Sequence, residues 1–168
     1  MKTARALLLS FLTLLLAFFC ACGEKSDLLS PFRKAYRADL SGELHGVAFG
    51  AVLEATEQQE DGKRTLTLTF YAPDPLSGTV VTRDEEGALS LTSGGVTVKG
   101  VRGEGLLSLL TLLPTGGDIQ SIEADAAGNS VITGEDFTLT LTREGMPIAV
   151  RTASVSATIV RFDLLPTS

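Results

Sequence analysis

Leu66-Thr67-Leu68-Thr69-Phe70 and Phe137-Thr138-Leu139-Thr140-Leu141 decide how this chain folds. In each stretch an apolar residue alternates with threonine at a period of two. Successive side chains on a strand point to opposite faces, so each run presents one apolar face and one hydroxyl face. β-Branched threonine suits a strand that meets water. The pattern predicts antiparallel sheet with one side packed and the other wet. Val96 and Val98 repeat it around Thr97.

Turn residues punctuate these runs. Asp61-Gly62, Glu86-Gly87, Gly94-Gly95, Gly128-Asn129 and Glu144-Gly145 each stand between two of them, and His45-Gly46 joins two more. Such pairs supply the positive φ of tight hairpin turns. Pro73 and Pro75 remove two ladder donors and should end the strand that starts near position 64. About ten strands follow from segments 34–44, 47–57, 64–72, 78–84, 87–92, 95–101, 119–126, 129–134, 136–143, 146–152 and 154–164, with room for two to merge or fail. Alternation slips in the last segment. Val155, Ala157 and Ile159 share one face while Val160, Phe162 and Leu164 share the other. A bulge near Ile159, or a strand covered on both sides, accounts for this.

One segment has another period. In Glu104 to Leu113, Leu106, Leu109, Leu110 and Leu113 fall at i, i+3, i+4 and i+7, a helical stripe that Leu107 and Leu112 widen. Leucine favours helix and Pro114 supplies a stop. The fold class is therefore mainly β: a curved antiparallel sheet, a half-barrel, of about ten strands with one short apolar helix over its apolar face. Either the helix fills the core or it lids a lipid-sized groove. Periodicity does not separate the two; spare volume does.

The front of the chain is a targeting segment. Lys2 and Arg5 form a positive start, and Ala6 to Phe19 is apolar except for Ser10 and Thr13. As helix it spans about 21 Å, short of the ~30 Å hydrocarbon core. Phe19-Cys20-Ala21-Cys22-Gly23 resembles the lipobox of bacterial lipoproteins, with small Ala21 before the cysteine and Phe19 where leucine is usual. Cys20 fits less well, because bulky Phe19 precedes it. The resemblance implies a signal peptide over 1–21, a diacylglyceryl group on the Cys22 thiol, a tether over 22–30 and a single β-rich domain over 31–168. Two acyl chains hold a protein stably at a membrane where one does not. This places the domain on the extracytoplasmic face of the cell membrane. The alternatives are a retained membrane helix, since the run extended to Cys22 reaches the lower length limit, and plain secretion.

Composition narrows the partners. Lys2 and Arg5 are two of 14 basic residues, whereas all 20 acidic ones follow Cys22, so the exported part carries a formal charge of roughly −8. Such a body is repelled by phosphate backbones, and nucleic acid is not expected as a partner. Both cysteines lie at or before position 22, which excludes a disulfide scaffold.

Lipobox, long curved sheet and brief apolar helix together resemble the LolA/LolB-like lipoproteins and lipoprotein carriers over residues 31–165. Leu66 to Pro73 with Leu76-Ser77-Gly78 is similar to that family's early strand-then-proline passage. Phe137 to Leu141 with Met146-Pro147-Ile148 is similar to its late hairpin. The family fold, an unclosed barrel lidded by helices, holds acyl chains on its concave side. This chain lacks the amphipathic helix expected before the first strand and shows one internal helix.

Nothing assembles a reaction centre. His45 is the sole histidine and stands in a turn; zinc or acyl-transfer chemistry needs more partners than it has. Asp84-Glu85-Glu86 and Glu135-Asp136 flank turns, where acids are common. Asp125 to Asn129 is too short for an EF-hand loop, and Gly100 to Gly105 lacks the Lys-Ser/Thr of a phosphate loop. No enzyme activity, metal or cofactor is expected. The favoured function is a membrane-anchored protein that binds or carries a lipid or other amphiphile. Its groove would be lined by Leu66, Leu68, Phe70, Phe137, Leu139 and Leu141 on the strands and by Leu106, Leu109, Leu110 and Leu113 on the helix. Gly42, Gly46, Ala48, Gly50 and Ala51 would leave room for it. The alternative is an envelope interaction module, with a fully packed core, that binds a protein partner.

Overall fold

A computed structural model of the chain describes residues 27–166. The expected signal peptide over 1–21 and Cys22 lie outside the described residues. Eleven strands form: β1 (Tyr36–Leu44), β2 (Val47–Ala55), β3 (Leu66–Ala72), β4 (Val80–Arg83), β5 (Leu89–Ser93), β6 (Val96–Lys99), β7 (Ile119–Ala124), β8 (Ser130–Gly134), β9 (Phe137–Leu141), β10 (Pro147–Thr152) and β11 (Val155–Leu164). All eleven expected segments are present, and none merges. They make one curved, unclosed antiparallel sheet in the order β6-β5-β4-β3-β2-β1-β11-β10-β9-β8-β7.

That order describes a path. The chain starts mid-sheet with β1 and walks outward by hairpins to one edge at β6. Residues 100–118 then cross to the other edge at β7, and hairpins bring the chain back until β11 pairs with β1. The crossing segment carries α1 (Glu104–Leu110), the one α-helix among the described residues. The leucine spacing predicts helix as far as Leu113, three residues beyond the observed end. At Thr111 both the amide and the hydroxyl donate to the Leu107 carbonyl, and Leu113 precedes Pro114, which disfavours helical backbone there. Leu112 and Leu113 are buried all the same.

Register carries the alternation across the sheet. Val98, Leu91, Val81, Leu68, Leu53, Ala38 and Phe162 are successive cross-strand partners on β6, β5, β4, β3, β2, β1 and β11, and form one inward row. The slip in the last strand is a bulge. Asp39 pairs with Arg161 and Leu40 with Ile159, so Val160 has no partner on β1 and points outward at 67% exposure. Ile159 and Phe162 thereby both face the core. At the β1–β2 turn, His45 and Gly46 both take positive φ, as a two-residue hairpin loop requires.

The body begins before Pro31. Leu28 packs against the core, Leu29 is buried, and a 3₁₀ turn over Ser30–Arg33 buries Phe32. Phe32 meets Phe162 edge-on at 5.7 Å and Tyr36 at 6.5 Å, while Tyr36 stacks on Phe162 at 5.4 Å. Arg64, 7% exposed, donates from Nη1 to the Phe32 carbonyl at 2.7 Å and lies 5.7 Å from the centre of the Tyr36 ring. The Tyr36 hydroxyl is buried without a hydrogen-bond partner.

Burial pushes the Tyr36 phenol above its ordinary 10.0, against the opposing pull of the Arg64 guanidinium. The folded chain therefore keeps the phenol neutral where the unfolded chain ionises. The associated stability is complete below pH 10 and is lost as pH rises through the folded value. Tyr36→Phe keeps the ring and removes the orphaned hydroxyl. It should raise stability at pH 7 by about 1 kcal/mol and flatten the decline above pH 10, as read from urea unfolding between pH 8 and 11.5.

Two glycines near the sheet centre are filled sites. A Cβ on Gly42 would overlap the Ser156 carbonyl oxygen and lie 2.7 Å from Ala157 Cα, so β11 rests directly on β1 there. A Cβ on Gly50 would strike the Tyr71 ring, whose hydroxyl donates to the Leu40 carbonyl at 3.0 Å. Neither residue leaves a groove open. Gly42→Val must part β1 from β11, and a loss of about 3 kcal/mol in unfolding free energy is expected from chemical denaturation.

Candidate functional site

Ten residues are candidates for an apolar groove, and the sheet divides them. Leu66 and Leu68 on β3, Leu139 and Leu141 on β9, and Leu110 and Leu113 in the crossing segment are at most 1% exposed and belong to the packed core. Phe137 stands apart: its ring occupies the space a side chain on Gly134 would need, and it comes near Gly117. Phe70, Leu106 and Leu109 do meet, around a cavity of about 130 Å³ between α1 and the outward-walking half of the sheet.

Most of that lining goes beyond the sequence expectation. Leu44, Val47, Ala48 and Phe49 come from the β1–β2 hairpin, Leu76 and Thr79 from the β3–β4 connection, and Val81 and Leu91 from β4 and β5. Alternation alone marks Val81 and Leu91 as inward. Which inward residues are left uncovered depends on where the crossing segment passes, and no local pattern records that.

The lining is aliphatic and aromatic except for Thr79, whose hydroxyl is hydrogen-bonded to Ser93 Oγ at 3.1 Å. Phe49 and Phe70 meet edge to face at 6.5 Å. Val47, 62% exposed, and Leu76, 39% exposed, stand where the cavity meets solvent. No titratable side chain touches it, so the space can take an apolar group and has nothing with which to move a proton. A larger depression of about 490 Å³ also borders α1, among Leu89, Val101 and Leu107, but it has Arg83, Arg102 and Glu104 in its lining as well. The one among Thr138, Thr140, Arg151 and Thr158 holds about 390 Å³ but is polar and open. His45 is an exposed turn residue whose amide donates to the Ser154 carbonyl. Among the described residues no three His, Cys, Asp or Glu side chains gather as metal ligands, and no helix is long and apolar enough to cross a membrane.

The crossing segment is held unevenly. Leu109, Leu110, Leu112 and Leu113 are buried, and Arg33 Nε donates to the Thr115 carbonyl at 2.8 Å. The first turn of α1 is less covered: Leu106 is only partly buried, and Leu107 is exposed. That less covered end borders the cavity.

No protein-family model matches the chain, and no curated protein matches it in sequence. Solved structures share its fold. An uncharacterised conserved protein from Thermus thermophilus superposes with a TM-score of 0.55 at 12% identity, covering 84% of this chain and 85% of that one. A LolA superfamily protein from Nitrosomonas europaea gives 0.50 at 9% identity, covering 86% and 94%. MucB gives 0.51 at 14% identity, with 84% of this chain spanning 57% of that protein. The sheet is thus a LolA-like half-barrel. At these identities the likeness is one of fold, which does not fix function.

Proposed function

We propose that this half-barrel is a non-enzymatic, lipid-anchored envelope protein that holds the tail of an amphiphile in the cavity beside Leu106 and Leu109. The observation that carries this is the cavity itself: an apolar space whose only polar lining group already has its hydrogen bond. Burial of methylenes there needs no cofactor.

Magnitudes limit what the cavity can hold as it stands. Ligand pockets run from about 300 Å³, and a ~150 Å³ apolar void takes a benzene-sized guest. A void of about 130 Å³ therefore accepts roughly five methylenes. At about 0.8 kcal/mol each they give some 4 kcal/mol, a Kd near 1 mM. Micromolar binding needs about twice that length buried, and so a wider space. Swinging the first turn of α1 away from Leu44, about the glycines at 100 and 103, would supply it.

A fluorescent fatty acid titrated into residues 23–168, made without lipid, tests the proposal. Affinity should rise with chain length and saturate. Failure to bind any chain from eight to eighteen carbons, with no amphiphile in an organic extract of the purified protein, would overturn it. Two observations favour the interaction module instead. Six of the ten candidate groove residues are solid core, and β6 offers a free edge on which Val96 and Val98 are exposed.

A further inference from the structure

We propose that β6 is a self-association edge, which pairs antiparallel with β6 of a second copy of this chain. The proposal does not depend on tail binding. It draws on acylation of Cys22 only for the local concentration that a shared bilayer gives.

Among the described residues the sheet has two open edges, β6 and β7. An open edge recruits another strand unless a bulge, a proline or a charge blocks it. β7 is blocked, since its register shifts between Ile119 and Ser121 and Glu123 stands within it. β6 runs Val96-Thr97-Val98-Lys99 in unbroken register with β5, and all of it is exposed. Its single charge, Lys99, lies at the end of the strand.

The hairpin decides which groups of β6 are free. Gly94 and Gly95 both take positive φ as a two-residue loop, so Ser93 and Val96 form a hydrogen-bonded pair. Alternate residues then bond to β5, and Gly100 keeps the phase by donating to the Leu89 carbonyl at 2.9 Å. Thr97 and Lys99 therefore turn their amides and carbonyls away from the sheet. A twofold axis at Val98 sets Thr97 of each copy opposite Lys99 of the other. Both of these pairs can exchange both of their backbone bonds. An axis at Thr97 gives one such pair, because Gly95 beside it belongs to the turn.

The side chains suit the same register. Val98 shares the concave side with its partner Leu91, yet it is 53% exposed because nothing lies beyond it. The axis brings it against its own copy in a non-hydrogen-bonded pair, where side chains approach most closely. Charge favours a like partner. The chain has 20 acidic residues but none from Gly87 to Gly103, so two of these hairpins meet without their acids, and Lys99 faces Thr97. A contact this short covers less than the roughly 1,000 Å² of a stable complex. Dilute chains stay apart, and chains held at one bilayer pair because tethering raises their effective concentration.

The chain carries no cysteine after Cys22, so an added thiol reports on pairing. The acylated full chain bearing Val98→Cys, Val96→Cys or Ile122→Cys is reconstituted into phosphatidylcholine vesicles and mildly oxidised. In the proposed register the two Val98 Cα atoms lie about 4.5 Å apart, within disulfide reach. The two Val96 positions lie about 13 Å apart, beyond it. Val98→Cys is expected to give roughly ten times as much disulfide dimer as either other variant. Adding Thr97→Pro, which removes an outward amide and none that β5 uses, should cut that yield about tenfold. Comparable yields at 96 and 98, or a yield at 98 that Thr97→Pro leaves unchanged, would overturn the proposal. A 98-to-122 product exceeding the 98-to-98 one in mixed vesicles would also overturn it, by giving the edge to β7 of the next copy. The comparison of 96 with 98 leaves the β6 backbone intact, so it stands even where proline loosens the hairpin. The chain without an added thiol checks the anchor separately, since it stays monomeric only with Cys22 acylated.

Discussion

Cys22→Ser is expected to abolish the processed, acylated form of the protein. Serine offers no thiol for the diacylglyceryl group, and cleavage ahead of an acylated cysteine then has no substrate. Mass spectrometry of the mature N-terminus and metabolic labelling with palmitate should show both losses together, with a longer precursor in place of the normal species. The effect is large because it removes the acyl anchor altogether, and since the uncleaved precursor keeps the apolar run from Ala6 to Phe19, mass and label are the readouts rather than release. At about 0.8 kcal/mol per buried methylene, one fourteen-carbon chain holds a protein only marginally, and two hold it stably. Among the described residues no helix is long and apolar enough to cross a membrane. An unlabelled wild-type protein, or a Cys22→Ser chain that stays with the membranes at its normal processed size, would remove the basis for placing the domain at a bilayer.

Val81→Phe should eliminate fatty-acid binding, by at least tenfold, while making the protein more stable by about 1 kcal/mol. Val81 is fully buried in the inward row between Leu68 and Leu91, and it lines the cavity. A larger side chain there can grow into space already present, and filling a real void stabilises. The sign of the stability change is the informative part. Without a void the same substitution would overpack the core and cost about 1–3 kcal/mol. Leu68→Phe, in the same row but away from the cavity lining, serves as the control and should be destabilising. Denaturant midpoints for the two variants, beside their fatty-acid titrations, separate an occupied cavity from a filled core. A stabilised Val81→Phe chain that still binds would mean the tail sits elsewhere.

Much of the architecture is legible in the sequence because it follows from local physics. A period of two fixes which side chains share a face, and glycine-bearing turns fix where each hairpin reverses. The threonine runs at 65–69 and 138–142 therefore announce an antiparallel sheet with a wet side, and all eleven segments form strands. Even the slip around Ile159 is visible, because a bulge changes the order of faces along one strand. The helix is legible from its leucine spacing, though it stops at Leu110, short of the run's end at Leu113 before Pro114.

The groove is less legible. A leucine at position 66 and a valine at position 81 obey the same alternation, yet one lies in solid core and the other borders a space. The difference lies in what covers each residue, and that is set by pairing far along the chain. β1 closes on β11 across more than a hundred residues, and the segment from 100 to 118 must then pass from one sheet edge to the other. The amino-acid sequence by itself determined the strands, their faces and their turns, because each depends on neighbours within a few residues. Only the tertiary structure decided which apolar residues are left uncovered and where the cavity opens, because both depend on where distant segments come to rest.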